Sequence, residues 1–195
     1  MLTPALLDAL EQCWRTQQAP LVSRLRPGLT DSQIDELTAE IGLRLPEEAR
    51  TWYRWHDGTD PVEYTHQRWI GPGHSLISLA DSVEQTRKQR DTLAHDGFLP
   101  PEEWWAPSWF ALTPSNGSLV CDCSVAPGEV TPIRIVRWDD QPDGHAKIRT
   151  RSLGELVSWF IEAFDCGAWC YRAGTVGWDP NPDVLRWELR TSGVL

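Results

Sequence analysis

Two cysteine pairs come nearest to a chemical motif in this chain: Cys121-x-Cys123 and Cys166-x-x-x-Cys170. Four thiolates would satisfy a structural zinc ion, but zinc knuckles usually separate their ligands by two residues, and neither pair does. On a strand, positions 121 and 123 share one face, so the spacing favours buried thiols over a metal site. His56 and Asp57, in "WHDG", could form an acid/base pair, yet a histidine at a helix C-terminus next to a glycine stop is more economically a cap on the negative end of the dipole. His66, His74, His95 and His145 are scattered, with no pair at helical ligand spacing. Ser108, Ser115 and Ser118 lack a nucleophile-elbow context, and "SNGSL" reads as a turn. The glycines of "GPG" and "APGEV" match neither a phosphate loop nor a dinucleotide fingerprint. Neighbouring carboxylates, Glu102 with Glu103 and Asp139 with Asp140, fall in expected loops, where solvation accounts for them. The chain is therefore read as a non-enzyme with no metal and no cofactor.

Bulk properties narrow the alternatives. A length of 195 residues suits one domain with its own core. The net charge of −10 argues against nucleic acid, whose binders neutralise phosphates with Lys and Arg, and against anionic membranes. It also suits steering a basic protein partner. The chain start lacks the cationic segment and unbroken apolar run of a secretory signal, and no stretch approaches a membrane-spanning length. With an odd count of five cysteines, reduced thiols in the cytoplasm are expected. Twelve tryptophans are expected mainly in the core.

The elements that would position a site follow from local signals. Thr3 and Pro4 open a helix over 3–17 with Leu6, Leu7, Leu10 and Trp14 at helical spacing. Thr30 and Gln33 form a capping box ahead of Ile34, Leu37 and Ile41, Gly42 stops that helix, and Pro46 with Glu47 and Glu48 starts the next, which Gly58 ends. Short strands are expected at Val62–Ile70 and Ser75–Leu79, followed by an exposed helix from Ala80 to His95. The clearest hairpin has arms "WFAL" and "LVC" around Pro114, Asn116 and Gly117. Ile133 and Ile135 alternate with arginines in a further strand, a last strand runs through Ile148, and Ser152 begins a helix ending near Gly167. Helices, then strands, then a helix imply an α+β fold, an antiparallel sheet with helices packed on one side.

These residues resemble the SMI1/KNR4, or SUKH, superfamily. Leu29, Ile34, Leu37, Ile41, Gly42, Leu45, Pro46, Tyr53, Asp57 and Gly58 are similar to its entry pattern. Leu79 with Asp81, Trp109, Gly117, Leu119 to Asp122, and Ser152, Leu153 and Leu156 are similar to its later elements in kind and order. The resemblance covers roughly residues 28–166 of a single SUKH-like domain spanning 1–195, with a helix at 3–17 before it and an extension at 167–195 after it. It implies an immunity protein of a bacterial toxin system, which binds and neutralises a cognate toxin such as a nuclease or deaminase. The alternative it implies is a regulatory scaffold for cell-wall synthesis or signalling. A basic toxin would meet acidic positions, here Asp57, Asp60, Glu63, Asp122, Asp139 and Asp140, with Trp69 or Trp105 as a partly exposed anchor. The oligomeric state is left open.

Overall fold

Thr30 closes the expected capping box in both directions. Its hydroxyl accepts from the Gln33 amide at 3.3 Å, while the Gln33 side-chain oxygen accepts from the Thr30 N–H at 2.9 Å. The computed structural model describes residues 1–61, 65–96, 105–114, 118–136, 148–172 and 177–184. Its helices are α1 (Pro4–Thr16), α2 (Asp31–Ala39), α3 (Glu47–Trp55), α4 (Leu79–Asp96) and α5 (Leu153–Asp165). After α2 the chain turns through Gly42 at φ +65°, with Leu43 N–H donating to the Thr38 carbonyl and Gly42 N–H to that of Ala39, the paired bonds of a Schellman stop. Ser152 caps α5 through its hydroxyl, which accepts from Glu155 N–H at 2.9 Å.

A four-stranded antiparallel sheet runs in the order β5 (Trp109–Ala111), β6 (Ser118–Asp122), β7 (Ile133–Val136), β8 (Ile148–Thr150). Phe110 faces Cys121, and Leu119 faces Ile135, in register. The hairpin between β5 and β6 forms as expected; its turn residues Asn116 and Gly117 lie outside the described residues. Alternation divides the sheet. Phe110, Leu119, Cys121, Ile133 and Ile135 join the helix residues in the main core, while Trp105, Trp109, Ala111 and Val120 form a second cluster. Among the described residues, three two-stranded units accompany this sheet: β1 (Leu25–Pro27) with β2 (His56–Thr59), β3 (Trp69–Gly71) with β4 (His74–Ser75), and β9 (Trp169–Arg172) with β10 (Gly177–Pro180). The main core draws on the whole length from Leu2 to Trp178, and its buried indoles include Trp14, Trp52, Trp169 and Trp178.

Several expectations need correction. Of the strand expected over Val62–Ile70, residues 62–64 lie outside the described residues, Thr65–Arg68 is a 3-10 turn and Trp69 and Ile70 belong to the short strand Trp69–Gly71, while the one expected over Ser75–Leu79 shrinks to His74–Ser75, with Leu79 already opening α4. α4 is not an exposed helix. Leu79, Ser82, Val83, Thr86 and Gln89 are buried. Its small hydroxyls are satisfied: Ser82 Oγ lies 2.7 Å from the Tyr53 hydroxyl, and Thr86 Oγ1 accepts the N–H of Ala111 on edge strand β5 at 3.0 Å. A helix thus blunts a sheet edge by satisfying its outward donor. His56 does end α3, but by entering β2, and Gly58 sits inside that strand rather than at the helix stop. Among the described residues, no helix is long and apolar enough to cross a membrane.

Two carboxylates, read in the sequence as a dipole partner and a cap neighbour, join distant segments. Glu48 is fully buried. Its Oε1 accepts from Leu2 N–H at 2.6 Å and Gly154 N–H at 3.1 Å, and its Oε2 from Thr131 N–H at 2.6 Å. The N-terminal ammonium lies 3.9 Å away. Asp57 accepts the first amide of α4, Leu79 N–H, at 2.7 Å and pairs with Arg26 at 2.6 Å. It therefore caps a helix that begins far along the chain.

Candidate interaction surface

The i, i+4 spacing of Asp31 and Asp35 puts both carboxylates on one side of α2, and the same spacing puts Arg50 and Arg54 together on α3. The Schellman turn and Pro46 fold the two helices against each other, so the four side chains interlock. Arg50 bonds Asp31 at 2.8 Å and Asp35 at 2.5 Å; Arg54 reaches Asp31 at 3.4 Å and also bonds Glu47. Arg50's side chain is only 12% exposed, whereas those of Asp31, Asp35 and Glu47 are 54%, 62% and 50% exposed. The hydrogen bond from Arg50 holds the Asp35 carboxyl below its usual range, and the same bond to Asp35 raises Arg50.

This network lines a groove of about 480 Å³ whose other residues are Arg44, Leu45 and Pro46 from the connection between the two helices and Cys123, Val125, Ala126, Pro127 and Gly128 from the turn after β6. The turn is held from both ends. Asp122 Oδ1 accepts from Ser124 N–H at 3.0 Å, Ser124 Oγ at 2.7 Å and Ser108 Oγ at 3.0 Å. Glu129 Oε2 accepts from Ala126 N–H at 3.1 Å. Burial works to raise the Asp122 carboxyl, but the bonds from Ser124 and Ser108 outweigh it and the group is held low. The groove thus pairs a charged helical wall with a fixed, largely apolar turn.

The structure separates the positions expected to meet a partner. Asp57 and Trp105 are buried: the former caps α4, and the latter donates its indole N–H to the Trp109 carbonyl at 3.2 Å. Their side chains work inside the fold, which corrects the expectation that they face a partner. Asp60 is exposed, and its N–H bonds the Arg24 carbonyl. Trp69 is half-buried beneath Trp178, whose indole N–H donates to its carbonyl at 2.9 Å. Asp122 braces the groove turn. Glu63, Asp139 and Asp140 lie outside the described residues. The groove itself escaped sequence reading, although the paired i, i+4 spacings of α2 and α3 were its available signal.

All five cysteines are free, with Cys121 buried and Cys123 half-buried at the groove. A hydrogen bond with Cys123, together with burial, pushes the Cys121 thiol up. Among the described residues, no group of three or more His, Cys, Asp or Glu side chains could hold a metal ion.

Residues 28–159, from the foot of β1 to the middle of α5, match the model of the SMI1 / KNR4 family (SUKH-1). The chain belongs to the SMI1/KNR4 family. That SUKH-1 match takes in both helices of the groove and the turn facing them. The family includes immunity proteins of polymorphic toxin systems and is generally non-catalytic. A search of curated proteins finds no match. α1 and the β9–β10 hairpin fall outside the SUKH-1 match, yet Leu7, Leu10, Trp14, Trp169 and Trp178 from them complete the main core.

Proposed function

We propose that this SUKH-1 chain is a cytoplasmic immunity protein that neutralises a cognate toxin by forming a one-to-one complex with it, making and breaking no covalent bond. Membership of a family that includes such proteins, over residues 28–159, carries the reading. The net charge of −10 supports a basic partner drawn in by long-range attraction, and the groove supplies a preformed surface on which the encounter can settle. Neutralisation requires only that the bound protein cover the toxin's active site or an essential surface.

Co-expression tests this. The toxin encoded beside the gene should arrest growth alone and permit growth when this protein is present. Equal killing in both cases would refute the assignment, and recovery of cell-wall synthesis proteins instead of a toxin would favour a regulatory scaffold.

A further inference from the structure

The thiols of Cys121 and Cys123 meet at the boundary between the main core and the groove. Cys121 sits on β6 opposite Phe110 and Ile133 and is fully buried in the core. Cys123, two residues on, lies on the same face, half-buried against that core and lining the groove. The two thiols share a hydrogen bond. The thiols of Cys166 and Cys170, by contrast, donate to carbonyls of their own segment, those of Ala163 and Gly167. Between Cys121 and Cys123, Asp122 turns the other way and holds the turn through Ser108 and Ser124. Cys123 fixes the start of the same turn, its N–H donating to the Ser108 carbonyl at 2.8 Å. One thiol pair thus joins the packed interior to the segment that forms a groove wall.

We propose that Cys121 and Cys123 form a reversible dithiol switch, closed to a disulfide by a low-molecular-weight disulfide of the glutathione class that approaches from the groove. Cys123 is the point of entry. Its thiolate attacks one sulfur of the small disulfide, the small S–S bond breaks, and one small thiolate leaves. Cys121 is shielded from the reagent by burial, but it lies beside the mixed disulfide. It gives its proton to water and attacks the Cys123 sulfur, expelling the second small thiolate. Two protein thiols are oxidised, and one small disulfide is reduced to two thiols. Two steps along a strand separate α-carbons by about 6.7 Å. That is near the upper limit of about 6.8 Å that a disulfide spans. Closing the bridge therefore draws Cys123 inward and pulls Asp122 off Ser108 and Ser124, so the turn that forms the groove wall rearranges. Cytoplasmic disulfides that do form are usually of this transient, sensing kind. The switch needs no partner protein and stands apart from the immunity reading.

The test equilibrates the folded full chain with oxidised and reduced glutathione, quenches with acid, alkylates and digests with trypsin. Residues 91–133 contain no Lys or Arg, so Cys121 and Cys123 are released together in segment 91–134, which holds no other cysteine. With oxidised glutathione in excess, that segment should be lighter by two hydrogens and refuse the alkylating agent. Excess reduced glutathione should restore both thiols. Amide chemical shifts of Ser108 and of residues 123–128 should follow the oxidation state. Cys121→Ser should stop at a glutathione adduct on Cys123, and Cys123→Ser should leave the segment unmodified. Should Cys121→Ser fail to fold, the wild-type masses and the half-buried Cys123→Ser position still decide the matter. A wild-type adduct on Cys123 that never closes would overturn the proposal. So would thiols that react only after denaturation, or a bridge that leaves the turn amides unmoved.

Discussion

Replacing Glu48 with Gln removes one charge and swaps one oxygen for a donor, with almost no change of shape. In the native protein three backbone N–H groups, from Leu2, Thr131 and Gly154, converge on its two oxygens. The amide can keep its oxygen where Leu2 and Gly154 bond, but its NH2 then faces Thr131 N–H across the 2.6 Å previously spanned by a hydrogen bond. One buried donor is left unsatisfied against another donor, and the two surviving bonds lose their charge assistance. A hydrogen bond to a charged group contributes about 1.5–3 kcal/mol, so Glu48→Gln should cost roughly 3 kcal/mol. For a chain of this size that corresponds to a fall of about 6–12 °C in Tm. Calorimetry measures the fall, and faster hydrogen exchange at Thr131 and Gly154 should accompany it. The adjacent Glu47→Gln, whose side chain is 50% exposed, should shift Tm by less than about 2 °C. A Glu48→Gln protein melting within about 2 °C of wild type would refute the role given to this carboxylate.

Other perturbations probe separate joints. Asp57→Ala leaves Leu79 N–H uncapped and Arg26 unpaired, and should destabilise by about 1–2 kcal/mol in denaturant titrations at unchanged m-value. Gly71→Ala places a Cβ 2.4 Å from the Trp169 ring, so the β9–β10 hairpin should loosen, seen as a changed Trp emission spectrum. Glu11 provides a pH test. Burial tends to raise its carboxyl, but hydrogen bonds from His56 and Arg15 outweigh this and hold it below the ordinary value. A lowered folded-state pKa contributes stability above the unfolded value of about 4.3, and that contribution disappears as pH falls through the folded value. Glu11→Gln should therefore flatten the acid side of the stability profile and leave its slope near neutrality unchanged; an unaltered acid slope would contradict the pairing.

Signals confined to a few residues were legible in the sequence. Thr30 with Gln33, Gly42 and Ser152 each mark a helix boundary through bonds spanning at most five residues, and each operates as its local pattern implies. The β5–β6 hairpin and the alternation of Ile133 and Ile135 were legible for the same reason. Signals that depend on distant partners were not. Glu48 looks like an ordinary acidic residue in a first helical turn until Leu2, Thr131 and Gly154 arrive from elsewhere in the chain. The buried face of α4 is written partly in Ser82 and Thr86, whose burial becomes intelligible only when Tyr53 and the edge of β5 supply partners. The groove belongs to this second class: its two helices were foreseen, but their junction with the Cys123–Gly128 turn is tertiary.

The most direct measurement is to mix the purified protein with the toxin encoded beside it and follow both complex mass and toxin activity. One species containing a single copy of each chain is expected, with activity lost in proportion to complex formed. A toxin that elutes alone at full activity in the presence of excess protein would contradict it.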